Sequence, residues 1–355
     1  MNNLSLCKRR HTVKYIGLDL HKKSIFATVL GEDGKILSRA KIGSKTRDIY
    51  YYLKNQGKRE ELSVAMEASY NWPYYYRAVE EAADTIVLAH PLKTRIIGEA
   101  KIKTDKIDSK VLAYMLKADM LPRAYVPSRD TMENKMLLRA RISLVRIRTQ
   151  IKNKIHAIVD RNRDSYIGLE NIADIFGKTG KKILRDTTIC PTDHKIITGY
   201  LDLMDEIDKK IKDIESQIDK RSLKDRDIEL LKTIPGIGTF TAFLVKSEID
   251  DILRFSSKGK LSSYAGLIPS THGSGQRLHH GRIVKQGNKF LRWALTEAAQ
   301  TSIRCSEYFR YHYSRIKSRK NANSATIAVA RRLLEIIYVM LKEGREYIEK
   351  PVDIK

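Results

Sequence analysis

What this chain lacks narrows it first. Only 3 of its 355 residues are cysteine. Cys7, Cys190 and Cys305 stand apart, with neither the spacing of zinc ligands nor that of a disulfide framework. That excludes a stapled secreted fold and leaves ordinary reduced thiols of a cytosolic protein. No run of 18 apolar residues occurs, so no transmembrane helix and no membrane partner are expected. The opening stretch MNNLSLCKRRHTVKY carries basic residues without the apolar core of a secretory signal. Tandem repeats and low-complexity tracts are absent. Acid is scarce: 42 Asp and Glu face 67 Lys and Arg, for a formal net charge of +25. Ribosomal and membrane-surface proteins share such an excess, but nucleic acid is the partner it implies first.

Against that basic background, four acids have the placement a divalent-metal site needs. Asp19 lies near the end of the apolar, β-branched run YIGLDL, and Glu67 closes LSVAMEAS. Asp105 and Asp108, three apart in KTDKIDSKVLAYML, fall on one face of a helix. Any chain with 42 acids offers some coincidental spacing. A carboxylate at the end of an apolar strand is costly unless it is used, however, and carboxylates gathered together repel unless a hard cation lies between them. Mg²⁺ is the natural occupant, because it takes oxygen ligands and accompanies phosphates. Two such ions, for which Mn²⁺ can substitute, activate the attacking oxygen and stabilise the leaving one in phosphoryl transfer. Asp84 and Glu99 read as surface acids.

The pattern of elements divides the chain into residues 1–127, 128–226, 227–310 and 311–355. In the first segment YIGLDL, IFATVL and KILSRAKI are strands, the last two joined by the GEDGK turn. A helix at 46–55, the strand LSVAMEA, a helix at 72–83, the strand TIVLAH and further helices from Pro91 follow. This order is that of an α/β ribonuclease-H-like fold. The tyrosines at 50–52 and the group Tyr70, Trp72, Tyr74, Tyr75 and Tyr76 suit packing between helix and sheet better than base stacking. The second segment is a helical arm. Leu137, Ala140, Leu144, Ile147, Ile151, Ile155 and Ile158 form one apolar seam. Ile197, Tyr200, Met204, Ile207, Ile211, Ile214 and Ile218 form a second, with heptad spacing. Antiparallel pairing within the chain and coiled-coil pairing between chains both satisfy these seams, and the expectation is an arm that also dimerises. Arg139, Arg146 and Arg148, interspersed with the first seam, are candidate contacts to nucleic acid. The third segment is mainly helical, and the fourth is a basic helical tail.

Within the third segment, IPGIGTFTA matches a helix–hairpin–helix turn. Pro235, Gly236 and Gly238 would let backbone N–H groups approach a phosphate, with the dipole of the next helix adding to them. A tight structural turn would look the same. Farther on, GLIPSTHGSGQRLHHGRIVKQG reads as a loop or irregular hairpin. Ser274 stands between two glycines, and Arg277, Arg282 and Lys285 could stabilise charge on an attacked phosphate. From spacing alone, though, Ser274 is a loop residue. His272, His279 and His280 suit phosphate contact or exposure better than metal ligation.

Taken together and in order, GLDLHK, AMEAS, TDKIDSKVLA, IPGIGTFTA and YAGLIPSTHGSGQ followed by HHGRIVKQGNKFLRWAL resemble one family over residues 13–305. It is that of the DEDD-type transposases of bacterial insertion sequences, bridge-RNA-guided recombinases with a RuvC-like domain and a C-terminal transposase domain. The resemblance implies that Asp19, Glu67, Asp105 and Asp108 bind Mg²⁺ and that Ser274 is the nucleophile. It further implies a composite site, with the serine of one protomer meeting the metal cluster of another in a dimer or tetramer. A structured guide RNA would pair with donor and target double-stranded DNA in the bacterial or archaeal cytosol, at the nucleoid. This chain has Ser270 where the family often carries an arginine, which leaves Ser270 as a weaker rival nucleophile. The competing expectation is a metal-dependent RuvC-like endonuclease or junction resolvase without a covalent serine intermediate.

Overall fold

The computed structural model describes residues 13–69, 71–97, 105–223, 225–274, 277–283, 286–349 and 351, with the backbone alone for 95–97, 105–107, 271–274 and 277–282. Cys7, Tyr70, Glu99 and Lys285 lie outside the described residues. Two compact units make up the chain, Met1–Val126 and Pro127–Lys355.

The first unit is built on a five-stranded mixed sheet of order β3-β2-β1-β4-β5. Its strands are β1 (Lys14–Leu20), β2 (Ile25–Leu30), β3 (Ile36–Ile42), β4 (Leu62–Glu67) and β5 (Thr85–Ala89). β1 runs antiparallel to β2 and parallel to β4, and β4 runs parallel to β5. Helices α1 (Thr46–Lys54), α2 (Trp72–Ala82), α3 (Pro91–Ile97) and α4 (Asp105–Lys117) complete it. Side-chain alternation along each strand separates two cores. Ile16 and Leu18 of β1 and Val64 and Met66 of β4 pack with Ile49 and Leu53 of α1 and Val79 of α2. Ala65, Val87 and Ala89 pack instead with Leu112, Met115 and Leu116 of α4. Strand order, strand directions and helices on both faces fit the expected ribonuclease-H-like domain. Tyr75 is buried, and Tyr50, Tyr52, Trp72 and Tyr76 pack against the α1/α2 core, whereas Tyr51 and Tyr74 are exposed.

In the second unit the long helices α5 (Arg129–Arg161) and α7 (Pro191–Ser222) pack against each other, with α6 (Lys178–Asp186) between them in sequence. The Ser128 hydroxyl accepts from the Thr131 N–H at 3.2 Å and so starts α5, while Pro191 occupies the first turn of α7, where no N–H partner is lost. Arg141 pairs with Glu215 at 2.6 Å, Arg148 with Asp208 at 2.7 Å, and Arg161 with Asp193. The partners descend in number along α7 as they ascend along α5, so the helices run antiparallel within one chain. Ile151, Ile155 and Ile158 meet Ile197, Leu201, Met204, Ile207 and Ile211 in a shared core. The expected α5 seam is corrected in its first half. Leu138 and Ile142 are buried there, whereas Ala140 and Ile147 are exposed. Leu138 and Ile142 belong to the core of the helices that follow, so the buried stripe changes phase where α5 leaves one core for the other.

Asp193 anchors the far end of this pair. The Arg161 side chain, and then the Asn162 amide donating at 2.8 Å, hold its carboxyl down at about 2. A depressed folded-state pKa contributes stability above the unfolded carboxyl pKa of about 3.9 and loses it as the pH falls towards about 2. Wild-type protein should therefore lose thermal stability between about pH 4 and about pH 2 to a degree that Asp193→Asn does not, as followed by circular-dichroism melts.

The remaining elements are α8 (Arg226–Lys232), α9 (Thr239–Ile249), α10 (Lys258–Ala265), the hairpin β6 (Pro269–Ser274) and β7 (Arg277–Ile283), α11 (Lys289–Cys305), α12 (Glu307–Lys317) and α13 (Ala322–Glu343). Leu333, Leu334 and Ile337 of α13 are buried with Leu291 and Leu295 of α11 and Phe243 of α9.

Candidate functional site

Two acids of the first unit, Asp19 and Glu67, come to one sheet edge by register. Leu18 pairs with Met66 across the parallel β1–β4 ladder, so Asp19 and Glu67 each stand one residue further towards the same edge. By alternation both belong to the α4 face, since their neighbours Leu18 and Met66 point into the α1/α2 core. Helix α4 runs opposite to β1. Its Tyr114 hydroxyl donates to the Gly34 carbonyl at 3.1 Å, in the turn beyond the start of β1, which leaves its N-terminal turn at the Asp19 end. Asp105 and Asp108 lie on that turn. Asp108 is four residues before the sheet-facing Leu112 and so belongs to the helix stripe that meets the sheet, while Asp105 is the first residue of the helix.

Close packing sets this approach. A Cβ at Gly17 would fall 2.0 Å from the Ser109 carbonyl oxygen and 2.7 Å from the Ala113 nitrogen, so α4 lies backbone-to-backbone on β1. Beside it, the Thr28 and Ser109 hydroxyls share a buried hydrogen bond of 2.9 Å. Gly17→Ala should push α4 outward and destabilise the unit by about 1–3 kcal/mol, which urea denaturation would measure.

Asp19 is only 6% exposed, and His21 Nε2 lies 2.9 Å from its Oδ2. The motif reading passed over His21. Its signal was present in GLDLHK, where His21 stands two residues after Asp19 and just beyond the end of β1. Carboxylate oxygens at one sheet edge suit a hard divalent cation in donor chemistry. Among the described residues no group of three or more His, Cys, Asp and Glu gathers closely enough to hold a metal, and Asp105 is described by its backbone alone.

In the second unit, Ser274 ends β6, its Cα paired with that of Arg277. The segment read as an irregular hairpin is thus an antiparallel hairpin with a register shift between Pro269 and Thr271. His272 and His279 are cross-strand partners within it, Arg282 lies on β7, and half-buried Ser270 lies near the start of β6. The Pro235-Gly236-Ile237-Gly238 turn joins α8 to α9. Gly236 has φ +93°, and a Cβ there would lie 2.6 Å from Ser302 Oγ, so its bareness is used by packing on α11. Gly238 is different: nothing lies within 4 Å of its Cβ position, and it opens α9 at the surface.

The arm arginines separate in the same way. Arg139 donates to both oxygens of Glu248, at 2.9 Å and 3.2 Å, and Arg148 donates to Asp208 at 2.7 Å. Arg146 is exposed, with no carboxylate partner among the described residues. It lines a cleft of about 380 Å³ with Arg141, Gln150 and Trp293.

Comparison with known proteins covers both units. A DEDD transposase model of the IS110 group matches residues 16–162, and the model described as the transposase IS116/IS110/IS902 family matches residues 228–314. A probable family 20 transposase of Pseudomonas aeruginosa is 26% identical, over 95% of this chain and 98% of its own length. The transposase for insertion sequence element IS1111A of Coxiella burnetii is 22% identical, over 98% of this chain and 95% of its own. A pilin gene-inverting protein of Moraxella bovis is 36% identical over 33% of this chain and 38% of its own.

Proposed function

The chain belongs to the DEDD-type insertion-sequence transposases, and on that premise we propose that it cuts, exchanges and rejoins DNA strands through a covalent serine intermediate, guided by RNA. The observation that carries the catalytic part is the convergence of Asp19, Glu67 and the first turn of α4 on one sheet edge, held there by the contact at Gly17. Divalent cations, Mg²⁺ in the first instance, would neutralise charge on the attacked phosphate when held by Asp19, Glu67, Asp105 and Asp108. His21 orients the Asp19 carboxylate. Ser274 Oγ forms the bond to phosphorus as a phosphorus–oxygen bond of the strand breaks. The serine proton leaves to solvent, and the departing sugar oxygen is protonated. A hydroxyl of the incoming strand then reverses the step. Arg277, Arg282 and Lys285 would counter the charge on that phosphate.

Support for strand exchange over simple cleavage comes from the relative named for inverting a pilin gene, since inversion requires cut ends to be rejoined. Partner assignments follow the charge. The exposed N-terminus of α9 at Gly238 would contact a DNA phosphate, and Arg146 would be the arm residue that touches guide RNA. The four segments at 1–127, 128–226, 227–310 and 311–355 would serve as metal-binding domain, arm, transposase domain and basic tail. A dimer or tetramer would bring Ser274 of one protomer to the acids of another.

The test is a denaturing gel of purified protein, guide RNA and plasmid carrying the element, incubated with Mg²⁺. A protein–DNA adduct supports the reading. Cleaved DNA ends with no adduct would transfer it to the metal-dependent endonuclease or junction resolvase.

A further inference from the structure

Glu248 lies in the middle of the second unit and is 2% exposed, with no part in the chemistry described so far. A carboxylate removed from water is costly unless surrounded by partners, and this one is surrounded. Arg139 and Lys135 reach it from α5, Lys135 at 3.7 Å. The Asn288 side-chain amide donates to its second oxygen at 2.8 Å. The Tyr264 hydroxyl donates to the Glu248 backbone carbonyl at 3.3 Å and accepts from the same Asn288 amide at 3.2 Å.

These partners are the two roots of the Ser274 hairpin. β6 departs just after Gly266 and Leu267, and β7 returns through Gly287 to Asn288. The roots close on each other: the Asn288 N–H donates to the Tyr264 carbonyl at 2.8 Å, and a Cβ at Gly287 would lie 2.8 Å from the Gly266 nitrogen. Asn288 also starts α11, its side-chain oxygen accepting from the Phe290 and Leu291 N–H groups at 3.1 Å. One amide side chain therefore caps a helix with its oxygen and holds the buried carboxylate with its nitrogen.

We propose that Glu248 is a positioning residue, which through Asn288 and Tyr264 fixes the roots of the hairpin that presents Ser274 and through Arg139 and Lys135 ties that hairpin to the arm helix α5. The inference rests on the reading of Ser274 as nucleophile. A two-stranded hairpin is marginally stable alone, so where its tip lies depends on how its base is held. A side chain 1 Å out of place costs a reaction on the order of 10²-fold.

The experiment uses full-length protein with guide RNA and element DNA. Glu248→Gln keeps the shape and loses the charge, and Asn288→Asp keeps the helix cap and loses the donor. Glu248→Gln should slow single-turnover adduct formation at saturating DNA by on the order of 10²-fold, with DNA affinity unchanged and amide exchange accelerated in 268–274 and 277–283. The double variant Glu248→Gln/Asn288→Asp exchanges amide and carboxylate across the same contact and should recover both properties in part, the charge facing Arg139 and Lys135 staying lost. Unchanged adduct rate and exchange in the single variants would overturn the proposal. So would a parallel fall of melting temperature, DNA affinity and rate that the double variant does not reverse. Ser274→Ala is run alongside. If it still forms adduct, the nucleophile assignment fails, and hairpin exchange alone decides the hold of Glu248 on its base.

Discussion

Ser274→Ala should abolish the covalent protein–DNA adduct and strand exchange, by at least on the order of 10⁴-fold, with DNA binding retained. The size follows from the role. In the proposed mechanism alanine removes the atom that would bond to phosphorus and leaves charge unchanged and bulk nearly so, so phosphate contacts and the hairpin ladder should remain. Ser270→Ala is the control. Ser270 lies on the same strand, near its start, whereas Ser274 is its last residue. Its loss should leave the adduct intact. An adduct that persists in Ser274→Ala and disappears in Ser270→Ala would exchange the two assignments. Denaturing electrophoresis of labelled DNA reads the result directly.

Asp19→Asn should reduce strand cleavage by on the order of 10³-fold, the scale on which one charge-stabilising group acts at a site sheltered from water. The substitution is nearly isosteric, and the amide can still contact His21, so the fold should persist by circular dichroism. What disappears is the buried carboxylate near the end of β1 that, in the proposed mechanism, would hold a cation. Chelation of divalent metal from wild-type protein should have the same consequence, and Mg²⁺ or Mn²⁺ should restore it. Full activity in Asp19→Asn would remove the metal from the mechanism.

Much of the first unit was legible because its signals are local. Alternation and the GEDGK turn place β2 and β3, and Pro91 starts α3 as expected. The phase of α5 was not legible. Ala140 and Ile147 satisfy a heptad seam as well as Leu138 and Ile142 do, and only the neighbouring core chooses between them. The surroundings of the arginines were not legible for a related reason. Arg139, Arg146 and Arg148 are equivalent in the sequence, yet two of them face carboxylates contributed 60 to 109 residues away.

The sequence by itself determined where the acids fall on their elements and that the chain is basic. Strand alternation, helix period and net charge are properties of neighbouring residues. Tertiary structure alone decided that Gly17 admits α4, that Gly236 is spent on packing against Ser302 while Gly238 stays open, and that Glu248 joins α5 to the hairpin roots. Close approach and burial depend on which distant segment arrives opposite, and no local pattern encodes that.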